Sequence, residues 1–155
     1  MEKSKGIAIL GSARTGGNTE IALRKLSPIP NYDIVDLNQL NIKHYQYDHA
    51  QLIDDDFLPV IERILLAQHL VFATPVYWYA MSGLMKVFFD RLTELLTTSK
   101  HLGKAMKGKK CYLIGCGTEA EFPIGFEIPF RLTCRYFEMD FVSSHYLQVA
   151  GGKHE

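Results

Sequence analysis

The chain has 155 residues, 47% of them apolar and 22% charged, with 17 basic side chains against 17 acidic ones. That composition fits one soluble globular domain over residues 1–155, and the zero formal charge argues against an electrostatic nucleic-acid binder, which would carry a basic surplus. The opening MEKSKGIAIL lacks the apolar run of a signal peptide, no segment reaches the ~18 apolar residues of a membrane span, and the 3 cysteines form no Cys-x-x-Cys pair. A cytoplasmic protein away from membranes is expected, with thiols kept reduced and no metal signature.

In chain order, Gly6 to Gly11 reads as a buried strand ending at glycine. Asn18 to Leu26 has helical spacing, with Ile21, Ala22 and Leu26 facing inward, and Ser27-Pro28 stops it. Asp33 to Leu37 is a second strand, followed by an irregular stretch from Asn38 to Gln51. The run Asp54-Asp55-Asp56 reads as a helix cap before the amphipathic segment Phe57 to Leu65. His69 to Thr74 is a third strand and Ser82 to Thr97 a long helix. Lys110 to Gly115 is a fourth strand, Ile124 to Phe137 a helix kinked or delayed by Pro129, and Asp140 to Leu147 a fifth strand.

Strands alternating with helical stretches of this length predict an α/β fold with a parallel sheet. The near-continuous apolar runs of the first, third and fourth strands suit burial on both faces. Right-handed crossovers then give a three-layer sandwich. Periodicity does not choose between strand orders.

Two segments carry chemistry. Gly11-Ser12-Ala13-Arg14-Thr15-Gly16-Gly17-Asn18-Thr19 joins the first strand to the first helix. Glycines there permit a tight turn, and hydroxyls, the Arg14 fork and free helix N–H groups can converge on a phosphate. It is neither a Walker loop nor a dinucleotide fingerprint. The second segment, Thr74-Pro75-Val76-Tyr77-Trp78-Tyr79-Ala80-Met81-Ser82-Gly83, crowds three aromatic rings after the third strand. Ligands bind at that end of an open α/β sheet, and a flat ring would stack there. Taken alone, it reads equally well as a loop folded on the core or as part of a dimer contact. Beside the first loop, a ligand site is the better reading.

The pair Gly-Ser-x-Arg-…-Asn-Thr and Thr-Pro-x-Tyr-…-Ser-Gly resembles the flavodoxin-like NADPH-dependent FMN reductase family, which includes FMN, azo-dye, quinone and chromate reductases. The resemblance covers nearly the whole chain and implies a five-stranded sheet of order 2-1-3-4-5 with FMN at the switch between strands one and three. It implies that Ser12, Arg14, Gly17, Asn18 and Thr19 hold the FMN phosphate. Pro75, Val76, Tyr77 and Trp78 would line the isoalloxazine, and Gly115, Gly117 and Thr118 would close over its pyrimidine edge. It also implies electron transfer from NADPH or NADH to a small acceptor: a quinone, azo compound, flavin or metal ion. No catalytic side chain is assigned. A flavodoxin-like electron carrier and a non-catalytic FMN-binding protein remain as alternatives.

Two departures from the family pattern stand out. The related iron–sulfur flavoproteins carry a cysteine cluster after strand two, where this chain reads Asn41 to His49 without cysteine. His44, Asp48 and His49 there are irregularly spaced, so a loop beside the flavin or a second subunit is expected rather than a metal site. Only Gln148 to Glu155 follow the fifth strand, too few for the usual last helix. The sheet face this would leave open predicts a homodimer. Bland readings apply elsewhere: a solvated Lys100–Lys110 cluster, a small buried Cys116, and a Lys86–Asp90 pair one helical turn apart.

Overall fold

A computed structural model describes residues 6–151. Five parallel strands form one sheet in the order β2-β1-β3-β4-β5. They are β1 (Gly6–Leu10), β2 (Asp33–Asp36), β3 (His69–Pro75), β4 (Lys110–Gly117) and β5 (Asp140–Gln148). The helices are α1 (Asn18–Leu26), α2 (Phe57–Leu65), α3 (Gly83–Arg91), α4 (Lys100–Lys104) and α5 (Ile128–Tyr136). This is the flavodoxin-like order expected from the resemblance, with the chain reversing direction across the sheet between β1 and β3.

The two sheet faces are covered unequally. Ile7, Ile9, Phe72 and Leu113 meet Phe57, Ile61, Phe88 and Phe130 from α2, α3 and α5. On the other face Ala8, Leu10, Val71 and Ile114 meet Ala22 and Leu23 of α1. Among the described residues no helix follows β5. The face does not open as an apolar surface, however. His69 Nδ1 and the Tyr112 hydroxyl share a hydrogen bond at 3.0 Å, and Ser143 Oγ and His145 Nε2 share one at 2.9 Å. Val142 is the one large exposed hydrophobic of β5. Apolar side chains are exposed instead on α5 and just before it, at Ile124, Ile128, Leu132 and Tyr136.

Several element ends differ from the sequence reading. The long helix stops at Arg91 and tightens to a 3-10 segment over Leu92–Leu96. Arg91 ends it by turning fully into the protein, its guanidinium donating two bonds to Asp55 at 2.8 Å, one to Lys43 O at 2.8 Å and one to Glu94. The helix before β5 begins only at Ile128, with Pro129 in its first turn, where a missing N–H costs nothing. Lys109 is not solvated: it is buried and donates to the Leu65 and Ala67 carbonyls at the end of α2. Asp55 does cap α2, accepting the Phe57 N–H at 2.8 Å, but its main partner is Arg91. Lys86 and Asp90 form the expected ion pair.

Candidate functional site

Three loops leave the carboxyl ends of β1, β3 and β4 and are bolted together. The Gly11 N–H donates to Ala73 O at 2.8 Å, which pairs the ends of β1 and β3. Ser82 caps α3 by accepting the Met85 N–H at 3.2 Å, and its hydroxyl donates to Gly11 O at 2.5 Å. The Ser82 N–H donates to Thr74 Oγ1 at 3.0 Å, so one buried serine holds the first loop, the second loop and α3. A side chain on Gly11 would press on Met85 and Ser82 at 3.0–3.2 Å, so glycine eases this close approach. Val76 N–H donates to Cys116 O at 2.8 Å and brings in the third loop.

The first loop is a cradle of free donors. Ser12 is buried and its Oγ spans the turn, accepting Arg14 N–H at 3.3 Å and donating to Arg14 O at 3.1 Å. The stem of Arg14 lies across Gly17, where a Cβ would sit 3.2 Å from Arg14 Cδ, and its guanidinium has no partner among the described residues. Gly17 is the N-cap of α1 and provides no side-chain cap. The N–H groups of Ser12, Ala13, Thr15, Gly17, Asn18 and Thr19 find no acceptor among the described residues. Two acidic side chains trim the outer rim. Glu20 accepts the Gly16 N–H at 2.9 Å and Asp36 the Thr15 hydroxyl at 2.8 Å. The remaining set of amides, one guanidinium and a helix N-terminus fits a phosphate. Thr19 contributes only through its backbone, because its hydroxyl is buried against Cys116 Sγ at 3.4 Å. Burial pushes the Cys116 thiol up, against the opposing bond from Thr19, so it is a packed thiol and not a reactive one.

The second loop presents rings outward. Tyr77 and Ala80 exchange backbone bonds at 2.9 and 3.1 Å around a turn whose central residues, Trp78 and Tyr79, have φ of 49° and 68°. Positive φ at both positions is the mark of a type I′ turn, usually built from Asn and Gly. Two bulky residues there store roughly 1–2 kcal/mol each, and no packing on the chain's own core offsets it: Trp78 is 92% exposed. Pro75 is buried as the last residue of β3, and Val76 lies half-buried beside it. Strain of this kind collects at ligand sites.

β4 runs on to Gly117, so Gly115 and Gly117 lie at the end of the strand rather than in the third loop, where the fold itself gives reasons for glycine. A Cβ on Gly115 would overlap the Phe122 ring, and one on Gly117 would sit 2.7 Å from the Tyr146 hydroxyl and 3.3 Å from Val76. Tyr146 donates to Glu119 O at 2.9 Å and Gln148 Nε2 to Thr118 O at 3.1 Å, which ties the loop to β5. Thr118 itself is exposed at the crevice rim. Of the expected site residues, those of the first two loops are thus brought together by the Ser82–Gly11 bond, and Gly117 lies against Val76. Ser82, Thr74 and Cys116 are the connecting residues; Thr74 and Ser82 stand in the second motif, but the sequence reading gave none of the three a part in the site.

The model of the NADPH-dependent FMN reductase family matches residues 4–153 of the chain. A Bacillus subtilis (strain 168) protein, YwqN, whose name describes an NAD(P)H-dependent FMN-containing oxidoreductase, is 34% identical over 119 residues, covering 72% of this chain and 66% of that relative. The match therefore spans just under two thirds of the relative's length. Among solved structures, the Trp repressor binding protein of Bacillus subtilis is 26% identical with a TM-score of 0.75, covering 94% of this chain and 85% of its own. RosB, solved with 8-demethyl-8-formylriboflavin-5'-phosphate, shares the fold at 16% identity and a TM-score of 0.77, over 98% of this chain and 68% of its own.

Proposed function

Because the chain belongs to the NADPH-dependent FMN reductase family, whose cofactor is FMN and whose donor is NAD(P)H, we propose that its crevice binds FMN and serves two-electron transfer from NAD(P)H to a small acceptor. The observation that carries this reading is the junction of an amide-lined, Arg14-bearing cradle with an outward aromatic turn, both locked to one serine. Ser12, Arg14, Gly17, Asn18 and Thr19 hold the phosphate, Arg14 by charge and the others by geometry and N–H groups. Pro75, Val76, Tyr77 and Trp78 flank the ring system, and Gly115, Gly117 and Thr118 bound its far edge.

When bound, FMN supplies hydride and single-electron chemistry that no side chain can. The chain's own part is positional. Pro75 has no N–H, and the Val76 and Tyr77 amides already donate to Cys116 O and Ala80 O, so the N–H groups of Trp78 and Tyr79 are what the turn has left to offer as a polar edge. Trp78 and Tyr79 give a flat apolar wall that excludes water from one side of the crevice. Neither Cys116 nor any histidine stands in the cradle, so no protein proton donor is assigned.

A homodimer belongs to the same proposal, supported by the exposed apolar side chains of α5, Ile128, Leu132 and Tyr136, with Ile124 just before it. A cytoplasmic location agrees with three free, buried thiols and with the absence, among the described residues, of any helix long and apolar enough to cross a membrane. Anaerobic mixing with NADPH tests the electron-transfer reading: bound flavin bleaches within turnover times if the chain is a reductase and stays yellow if it only carries electrons or binds flavin. Sedimentation at micromolar concentration tests the dimer, which a purely monomeric boundary refutes.

A further inference from the structure

The loop after β4 is pinned to the last strand by its carbonyls. Gly117 O accepts the Val149 N–H at 2.8 Å, Thr118 O accepts from Gln148 Nε2 at 3.1 Å, and Glu119 O accepts the Tyr146 hydroxyl at 2.9 Å. Its amides stay unspent: the N–H groups of Thr118, Glu119, Ala120, Glu121 and Phe122 find no acceptor among the described residues. The pinning is built into the strand ends. Tyr146 stands beside Gly115 in the sheet, and its ring lies 4.9 Å from that of Phe122. A side chain on Gly115 would overlap Phe122, and one on Gly117 would reach 2.7 Å from the Tyr146 hydroxyl. Two absent side chains therefore let Tyr146 close on the loop. The same position on Gly117 is 3.3 Å from Val76 Cβ, and Val76 donates its N–H to Cys116 O, so the hydroxyl sits at the seam between the second and third loops.

We propose that Tyr146 is a positioning residue for electron transfer: by holding Glu119 O it sets the unspent amides of the third loop along the flavin's pyrimidine edge, and so favours reduced FMN over oxidised FMN. The assignment rests on the flavin reading above. A hydride from NAD(P)H brings two electrons and one proton and leaves the reduced ring with one negative charge, carried by its pyrimidine edge. N–H donors fixed beforehand stabilise that charge, whereas donors on a loose loop must first be ordered. Burial pushes the Tyr146 phenol up, so its hydroxyl stays protonated and donates. Glu119 and Glu121 stand on the same loop with the opposite effect, but both are exposed, where water and salt screen them.

The test compares the full chain with Tyr146→Phe, which keeps the ring and loses the hydroxyl, and with Gln148→Ala, which removes an exposed partner of the same loop. Each is loaded with FMN, and the midpoint potential is measured by reduction against a reference dye. In Tyr146→Phe the preference for reduced over oxidised FMN should fall about tenfold, which lowers the potential by about 30 mV for two electrons. Gln148→Ala should lose about threefold, or about 14 mV. The preference for FMN over riboflavin should stay within twofold of the parent, since the phosphate cradle is untouched. In flavin-free Tyr146→Phe, amide NMR relaxation should show backbone order parameters across Thr118–Phe122 falling from about 0.85 in the parent toward about 0.6. A potential unchanged in both variants overturns the proposal, and so does a shifted potential with unaltered order parameters. Weaker FMN binding at an unchanged potential also overturns it, because that marks a merely structural bond. If Tyr146→Phe does not fold, Gln148→Ala decides by the same criteria. A parent that binds neither flavin defeats the flavin reading and this assignment with it, whereas a parent that binds FMN beside variants of unchanged potential defeats this assignment alone.

Discussion

Ser82→Ala removes a single oxygen atom that holds two loops and a helix. That hydroxyl accepts the Met85 N–H at 3.2 Å and donates to Gly11 O at 2.5 Å in a site that is 1% exposed. Loss of an N-cap costs about 1 kcal/mol, and a buried carbonyl left without its donor costs about 1–3 kcal/mol. The two together give a loss of about 2–4 kcal/mol, a large share of the 5–15 kcal/mol that typically stabilises a domain. Urea unfolding followed by circular dichroism should show the midpoint lowered at unchanged slope. FMN affinity should fall with it, because the cradle is no longer held to the aromatic turn. A stability loss under about 0.5 kcal/mol, within the range of ordinary surface substitutions, would refute the claim that Ser82 is the junction.

Arg14→Ala should weaken FMN binding by about 1.5–3 kcal/mol, the value of a hydrogen bond to a charged group, with folding unchanged; fluorescence titration measures it. Trp78→Gly should leave stability equal or slightly raised, since relief of about 1–2 kcal/mol of left-handed strain offsets glycine's entropy, while flavin affinity or the visible spectrum changes; calorimetry and absorbance report the two separately. Arg91→Met strands Asp55 and Glu94 in the interior and should cost about 3–5 kcal/mol, lowering the melting temperature by roughly 10 °C. Acid should act through the same pair. Burial alone would raise the Asp55 carboxyl, but the Arg91 bond and the Lys43 and Phe57 amides outweigh it and hold it below its ordinary value. Its contribution is therefore complete above about pH 4 and fades as pH falls through the lowered value. Parent stability should drop there, and Arg91→Met should lack that component in a pH series of unfolding curves.

What was legible in the sequence depended on how local its cause was. The strands were readable because each is a short apolar run ended by glycine, proline or charge, and α1 was read to the residue, Asn18–Leu26. The strand order was not a property of any run and came from the two loop motifs acting together. Arg91 looked like an ordinary helix residue, and nothing near it in sequence signals that Asp55, 36 positions away, would draw it inward. Lys109 was misread for the same reason, since its acceptors lie 42 and 44 residues off at the end of α2. Gly115 and Gly117 read as a ligand edge, and the sequence gave no sign of the rings that also crowd them, Phe122 of the loop that follows β4 and Tyr146 of the last strand. Among the described residues no helix covers the sheet beside β5, as expected, but hydrogen-bonded His, Tyr and Ser side chains make that face polar and not apolar, which no short run of sequence shows.

The central claim is that the turn after β1 grips a phosphate. Parallel titrations of flavin-free protein with FMN and with riboflavin, which differ only in that group, test it most directly. Two charge-assisted bonds amount to at least about 3 kcal/mol, so FMN should bind at least about 100-fold more tightly. Equal affinities for the two flavins would contradict the account.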